Sequence, residues 1–298
     1  MKRRARSRPI PMLNKGNESG EGREGKEGKE GKENIWAKRR LGQNFLVDRG
    51  VLGAIVERAG VSRDDVILEV GPGNGVLTRA LLGAGCGHLH AVEADLRLAE
   101  LLAVMEADFA PRLSVVLGDA MKVPLDLLSP FPNKLVSNIP YNITPPLLWR
   151  LLPLAARGLT YMLCMVQKEA AERLTAASDT KARYPLGVTF EAMGGVAVVR
   201  SVPPECFRPV PRVESAIVEI RVERRVDLAD DALWRGLLRQ AFRQRRKTLA
   251  NNLRGFRGVG DWPAVLEGAG VDPRIRAEDL TCEEWLAVHA ALRGGADI

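Results

Sequence analysis

Apolar residues along this chain fall first into short runs of strand length, at 66–70, 88–93, 113–117, 134–137 and 161–166. Helical spacing separates them over 76–82, 95–105 and 146–152. Strands alternating with helices predict βαβ units and an α/β fold, a doubly wound and mostly parallel sheet of the Rossmann-like kind. Two later β-rich runs, 196–202 and 215–222, are joined by a proline-rich connection and predict an antiparallel pair closing the sheet edge. After Val226 the period turns helical. Asp230 or Asp231 can cap a helix whose apolar stripe is Trp234, Leu237/Leu238, Ala241/Phe242, Leu249 and Leu253. Leu266, Ile275, Leu280, Trp285 and Leu286 extend it into a small all-helical domain. The change of period predicts a boundary near 226, with an α/β domain over 35–225 and a helical one over 226–298.

Residues 1–34 stand apart from that pattern. The triplet Glu-Gly-Lys/Arg repeats from Glu21 to Glu33 without a large apolar residue to bury, so a solvated, disordered tail is expected. Ten Lys/Arg and six Glu give it +4 of the formal +7 that the 298 residues carry. A globally basic protein points only weakly to nucleic acid; where the remaining cations cluster matters more. At roughly 150 residues per domain the length allows about two domains, and a 46% hydrophobic share is that of a globular protein.

No run reaches the roughly 18 apolar residues of a membrane helix. The richest, 147–156, is broken by Arg150 and Pro153. The basic N-terminus lacks the apolar stretch of a secretory signal. Cys86, Cys164, Cys206 and Cys282 lie far apart, and no two of the three histidines share an i, i+4 spacing. A reduced, cytoplasmic protein with no metal and no membrane partner is expected.

Two segments carry candidate chemistry. Glu69-Val70-Gly71-Pro72-Gly73-Asn74-Gly75 lies between a strand and a helix, where glycine lets the backbone turn tightly and approach a ligand. Glu93 ends the next strand and could accept hydrogen bonds from both ribose hydroxyls. Asp119, ending the third, could take an adenine amino group. The spacing is G-x-G-x-G, with Val76 where a dinucleotide motif has its third glycine, which favours a nucleoside cofactor over a nicotinamide one. The fourth strand runs into Asn138-Ile139-Pro140-Tyr141-Asn142. The Asn138 carbonyl and a nearby main-chain carbonyl can accept both hydrogens of an exocyclic amine and aim its lone pair at an electrophilic methyl. Tyr141 offers a face on which an extruded base can stack, worth roughly 1–3 kcal/mol.

With those residues the chain resembles the bacterial small-subunit ribosomal RNA adenine dimethyltransferases over about residues 36–291. The likeness rests on Leu41-Gly42-Gln43-Asn44-Phe45-Leu46, the glycine segment, Glu93, Gly118-Asp119-Ala120, Asn138-Ile139-Pro140-Tyr141-Asn142-Ile143, the 207–215 stretch beginning Phe207-Arg208-Pro209, and Ala241-Phe242-Arg243-Gln244-Arg245-Arg246-Lys247-Thr248-Leu249. It implies a class I methyltransferase fold, S-adenosyl-L-methionine as cofactor, and two adjacent adenines near the 3′ end of 16S rRNA as substrate, within the small subunit or its precursor. It further implies Asn44, Leu46, Gly71, Gly73, Glu93, Asp119 and Asn138 as cofactor contacts, Asn138 and Tyr141 as catalytic, and Phe207 as an aromatic across the target base. Ile139 stands where the family commonly has Leu.

Two basic clusters could hold RNA phosphates. Lys38-Arg39-Arg40 precedes the Gln43-Asn44 segment. Arg235, Arg239, Arg243 and Arg246 fall at spacings of four, four and three, thickened by Arg245 and Lys247, with no Asp or Glu between Arg235 and Arg257. On one helix they would form a stripe opposite the apolar one. Structured RNA would be read through phosphates and shape, with the target adenine flipped out. A monomer is expected. Rival readings are a 23S rRNA adenine methyltransferase of the antibiotic-resistance type, a non-catalytic RNA-binding assembly factor and, less favoured, a nicotinamide oxidoreductase.

Overall fold

The computed structural model describes residues 44–294, which fall within one compact unit. The strands are β1 (Phe45–Leu46), β2 (Val66–Val70), β3 (His88–Glu93), β4 (Leu113–Leu117), β5 (Lys134–Asn138), β6 (Tyr161–Gln167), β7 (Gly194–Val202), β8 (Phe207–Arg208) and β9 (Ser215–Val222). The helices are α1 (Arg49–Ala59), α2 (Val76–Gly83), α3 (Ala99–Phe109), α4 (Thr144–Leu151), α5 (Lys168–Leu174), α6 (Pro185–Met193), α7 (Ala232–Ala241), α8 (Leu249–Leu253), α9 (Trp262–Gly268) and α10 (Cys282–Gly294).

Seven strands form one sheet in the order β4-β3-β2-β5-β6-β9-β7. From β4 to β6 all neighbours are parallel; β9 runs antiparallel to both β6 and β7. The expected parallel sheet with an antiparallel edge is therefore present. The order reverses between β2 and β5, so a crevice opens beyond their carboxyl ends, where open α/β sheets hold ligands.

Both faces of the inner parallel strands β2, β3, β5 and β6 are buried, and side chains alternate between them. Ile67, Leu89, Val136, Leu163 and Met165 pack with Val51 and Ile55 of α1, Leu81 of α2 and Leu102 of α3. Leu68, Val92, Leu135, Met162 and Cys164 pack with Leu147 and Leu151 of α4 and Phe190 of α6. That second core continues through Trp234, Leu237, Leu249, Leu266 and Trp285, so the helices beyond Val226 are packed into one face of the sheet. Trp234 Nε1 donates to Thr189 Oγ1 on α6 at 3.0 Å.

The expected long helix over 231–253 is corrected to two. Asp231, not Asp230, caps α7 by accepting from the amides of Leu233 and Trp234 at 2.7 and 3.1 Å. The helix ends at Ala241. Gln240 Nε2 then donates to the Asn252 carbonyl, and Asn252 Nδ2 to that of Gln244. Thr248 caps a new helix, α8. The Gln240 amide thus ties α7 to α8, the Asn252 amide satisfies a carbonyl of the tight 242–248 turn, and Phe242 stacks on Trp285 at 5.7 Å between centroids.

Candidate active site

At the reversal of strand order lies a cavity of about 260 Å³. Asn44, Leu46, Gly71, Gly73, Glu93, Asp119, Asn138 and Tyr141 all line it, so eight sequence-derived site residues from five segments converge.

Its floor is the turn after β2. Gly71 and Gly73 have φ of 74° and 58°, a region costly for side chains with a Cβ. A Cβ on Gly73 would stand 2.7 Å from Cε1 of Phe45. The Phe45 ring therefore roofs the turn, a contact that only glycine permits. Phe45 received no role from its sequence context.

The carboxylates are fixed by backbone amides. Glu93, 4% exposed, accepts from the Gly73 amide at 3.0 Å and the Asp95 amide at 2.8 Å. Burial raises its pKa above the ordinary value, against those two bonds. Asp119 Oδ1 accepts from the Met121 amide at 2.9 Å. Glu69 is a further cavity carboxyl that sequence reasoning left without a function. Burial pushes it up to about 8, opposed by a hydrogen bond from Thr78 and reinforced by the Glu93 charge. Thr78 Oγ1 donates to its Oε2 at 2.7 Å. A carboxyl at the buried end of a strand was the available signal.

On the opposite wall, β5 delivers Asn138 and the turn that follows delivers Tyr141. Ser137 Oγ donates to the Val70 carbonyl at 2.7 Å, pinning β5 to β2 at the cavity edge. Asn138 Nδ2 donates to the Asn44 carbonyl at 3.1 Å, which turns Oδ1 away from that carbonyl and leaves it to accept from a ligand. The Tyr141 hydroxyl shares a 2.6 Å hydrogen bond with Ser215 Oγ. Burial raises the phenol's pKa, partly offset by that bond, so it stays protonated at neutral pH.

Phe207 requires correction. It is fully buried and packs among Leu46, Val51, Met165 and Ile217 rather than lining the cavity. Its short strand β8 pairs antiparallel with β1, Leu46 facing Phe207, and this pairing turns the ring into the core.

The cationic stripe is also redrawn. Arg239 is exposed on α7, but Arg243, Arg246 and Lys247 sit exposed in the 242–248 turn. Arg235 is half-buried: its guanidinium donates to the Ala229 and Trp149 carbonyls and lies 5.3 Å from the Trp149 ring centroid. Arg245 donates to the Lys181 carbonyl. Lys38, Arg39, Arg40 and the 1–34 tail lie outside the described residues. Among the described residues no cluster of His, Cys, Asp and Glu could hold a metal ion, and no helix is long and apolar enough to cross a membrane.

Comparison with known proteins agrees with this geometry. The sequence profile of the ribosomal RNA adenine dimethylase family matches residues 35–293. The ribosomal RNA small subunit methyltransferase A of Chromobacterium violaceum is 40% identical over 261 residues, covering 86% of this chain and 97% of that protein. Among solved structures, a dimethyladenosine transferase from Plasmodium falciparum superposes with a TM-score of 0.72 at 25% identity, covering 84% of this chain and 98% of that one. The 23S rRNA methyltransferase ErmE gives 0.63 at 28% identity, with 84% and 100% covered.

Proposed function

Because the chain belongs to the ribosomal RNA adenine dimethylase family, we propose that it transfers methyl groups from S-adenosyl-L-methionine to N6 of two adjacent adenines near the 3′ end of 16S rRNA. The products are N6,N6-dimethyladenosines in the small ribosomal subunit or its precursor, and the work belongs to small-subunit biogenesis in the cytoplasm. The observation that carries this reading is the single cavity on which Asn138 and Tyr141 face Glu93 and Asp119.

The cavity residues fit that cofactor. Glu93 would take the ribose hydroxyls and Asp119 the adenine amino group, both lining the cavity. The Gly71–Gly73 backbone has the close approach a ligand needs, and Asn44, Phe45 and Leu46 form the roof. When bound, the cofactor supplies an electrophilic methyl on a sulfonium.

The protein's part is positioning. Adenine N6 is a poor nucleophile because its lone pair is delocalised into the ring, so alignment and exclusion of water must supply much of the rate. Asn138 Oδ1 accepts one hydrogen of the amine and orients its lone pair. Tyr141 stacks on the extruded base. The protonated Tyr141 phenol is no general base, and none is required, because the amine proton becomes acidic once the methyl arrives. Exposed Arg239, Arg243, Arg246 and Lys247 would take RNA phosphates, making the 226–298 region the RNA-binding part, with Lys38, Arg39 and Arg40 a second contact.

The ErmE likeness keeps one other reading, methylation of 23S rRNA with the same chemistry. Curated relatives at 37–40% identity over at least 84% of the chain are named small-subunit enzymes, which favours the first. Labelled methyl transfer to unmethylated small subunits, compared with large subunits, tests the choice. Label in the small subunit alone is expected; label in the large subunit alone would reverse it.

A further inference from the structure

Asn138 and Tyr141 are each held by a hydrogen bond from another segment, Asn44 just before β1 and Ser215 at the start of β9. Asn44, whose carbonyl takes the Asn138 amide hydrogen at 3.1 Å, immediately precedes β1. Ser215, whose hydroxyl meets Tyr141 at 2.6 Å, is the first residue of β9 in the seven-stranded sheet, paired with Gln167 of β6 and Val202 of β7, where the loop from β8 ends. β1 and β8 form a two-stranded ribbon of their own, Phe45 opposite Arg208 and Leu46 opposite Phe207. The pairing is prolonged by the Val47 amide donating to the Cys206 carbonyl at 2.8 Å. Leu46 and Phe207 root the ribbon in the core, at 5% and 0% exposed.

Neither support is needed by the fold in an obvious way. Ser215 is fully buried, so its hydroxyl must find a partner, yet alanine there would give a strand start with no polar group to satisfy. The hydroxyl instead goes to the one side chain whose ring plane matters for stacking. The Asn44 carbonyl likewise goes to the one amide whose orientation matters: if Asn138 turned over, its Nδ2 would face a target amine that offers only hydrogens.

We propose that two hydrogen bonds form the positioning frame of the target-base site: Ser215, at the start of β9, fixes the plane of the Tyr141 ring, and the Asn44 carbonyl, beside β1, fixes the Asn138 amide. This rests on the adenine-methylation reading above. Ser215 touches neither base nor methyl in this scheme; it acts through Tyr141, and the Asn44 carbonyl acts through Asn138.

The test uses the full chain, unmethylated small subunits and single-turnover methyl transfer at saturating adenosylmethionine, with cofactor affinity and melting temperature measured alongside. Ser215→Ala should slow transfer about 5- to 30-fold while cofactor affinity stays within two-fold. Ser215→Thr, which keeps the hydroxyl, should recover most of the rate. Ser215→Ala combined with Tyr141→Phe should be no slower than Tyr141→Phe alone, because both remove the same bond. Replacing Phe45 by its α-hydroxy analogue turns the Asn44 carbonyl into an ester, a weaker acceptor, and should slow transfer at saturating cofactor by a similar factor. A parental rate in Ser215→Ala, a parental rate in the ester variant, or multiplying effects in the double variant would overturn the frame. If Tyr141→Ala is also parental, the stacking reading falls and takes the frame with it. If Tyr141→Ala is slow and Ser215→Ala parental, only the frame falls.

Discussion

Glu69→Gln isolates the electrostatic cost of the cavity floor. Glu69 is 2% exposed and titrates near 8 in the folded protein against an ordinary 4.5. Between those values the unfolded chain has released the proton and the folded protein still holds it. Unfolding there releases a proton, so this group removes stability as pH rises, by about 1.4 kcal/mol per pH unit until the folded carboxyl itself ionises near 8. From pH 6 to pH 8 the loss is about 2–3 kcal/mol. Glutamine is neutral throughout, nearly isosteric, and still accepts from Thr78 Oγ1. The variant should therefore gain that amount relative to the parent over the same interval, while the slope from Glu93, whose pKa is also raised by burial, subtracts out. Urea unfolding of both proteins without cofactor at pH 6, 7 and 8 measures it. A stability difference that stays constant across the three pH values would refute the reasoning.

Other outcomes follow from the same geometry. Glu93→Ala should cost adenosylmethionine about 1.5–3 kcal/mol, a 10- to 150-fold weaker Kd by calorimetry; unchanged affinity in a folded variant would remove Glu93 from the ribose. Gly73→Ala forces a Cβ 2.7 Å from the Phe45 ring at a φ of 58°, so it should lower the melting temperature by the equivalent of about 1–2 kcal/mol from the backbone alone and weaken cofactor binding further; a neutral variant would mean that Phe45 does not roof the turn. Replacing Arg239, Arg243 and Arg246 together with Gln should reduce the log–log salt slope of RNA binding by about 0.7–0.9 for each phosphate the protein no longer neutralises, with cofactor affinity unmoved. An identical slope would make these arginines a solvated surface.

What the sequence disclosed followed the strength of local patterning. Apolar-rich runs such as 66–70 and 113–117 appear as strands at those bounds, because such short runs flanked by turn formers have few other solutions. Gly71, Gly73, Glu93, Asp119 and Asn138 were legible for a related reason, each lying at or just beyond the carboxyl end of a main-sheet strand; Asn44 and Leu46 came from the family resemblance alone. Long-range pairing was not legible. Nothing local announces that Phe45–Leu46 will pair with Phe207–Arg208 across some 160 residues, and that pairing decides whether Phe207 faces a base or the core. The α7 stripe misled because Arg243 and Arg246 continue a helical spacing through a turn. Thr248, a helix-capping residue followed by Leu249 and Leu253, was the sign that a new helix begins there.

Whether this cavity dimethylates two adjacent adenines of the small-subunit rRNA is decided by mapping the modified nucleotides. Unmethylated small subunits are incubated with the protein and labelled adenosylmethionine, and the 16S rRNA is digested and read by mass spectrometry. Two neighbouring N6,N6-dimethyladenosines near the 3′ end are expected with the parent protein, and none with Asn138→Ala. Label on any other nucleotide, or dimethylation that survives Asn138→Ala at the parental rate, would overturn the assignment.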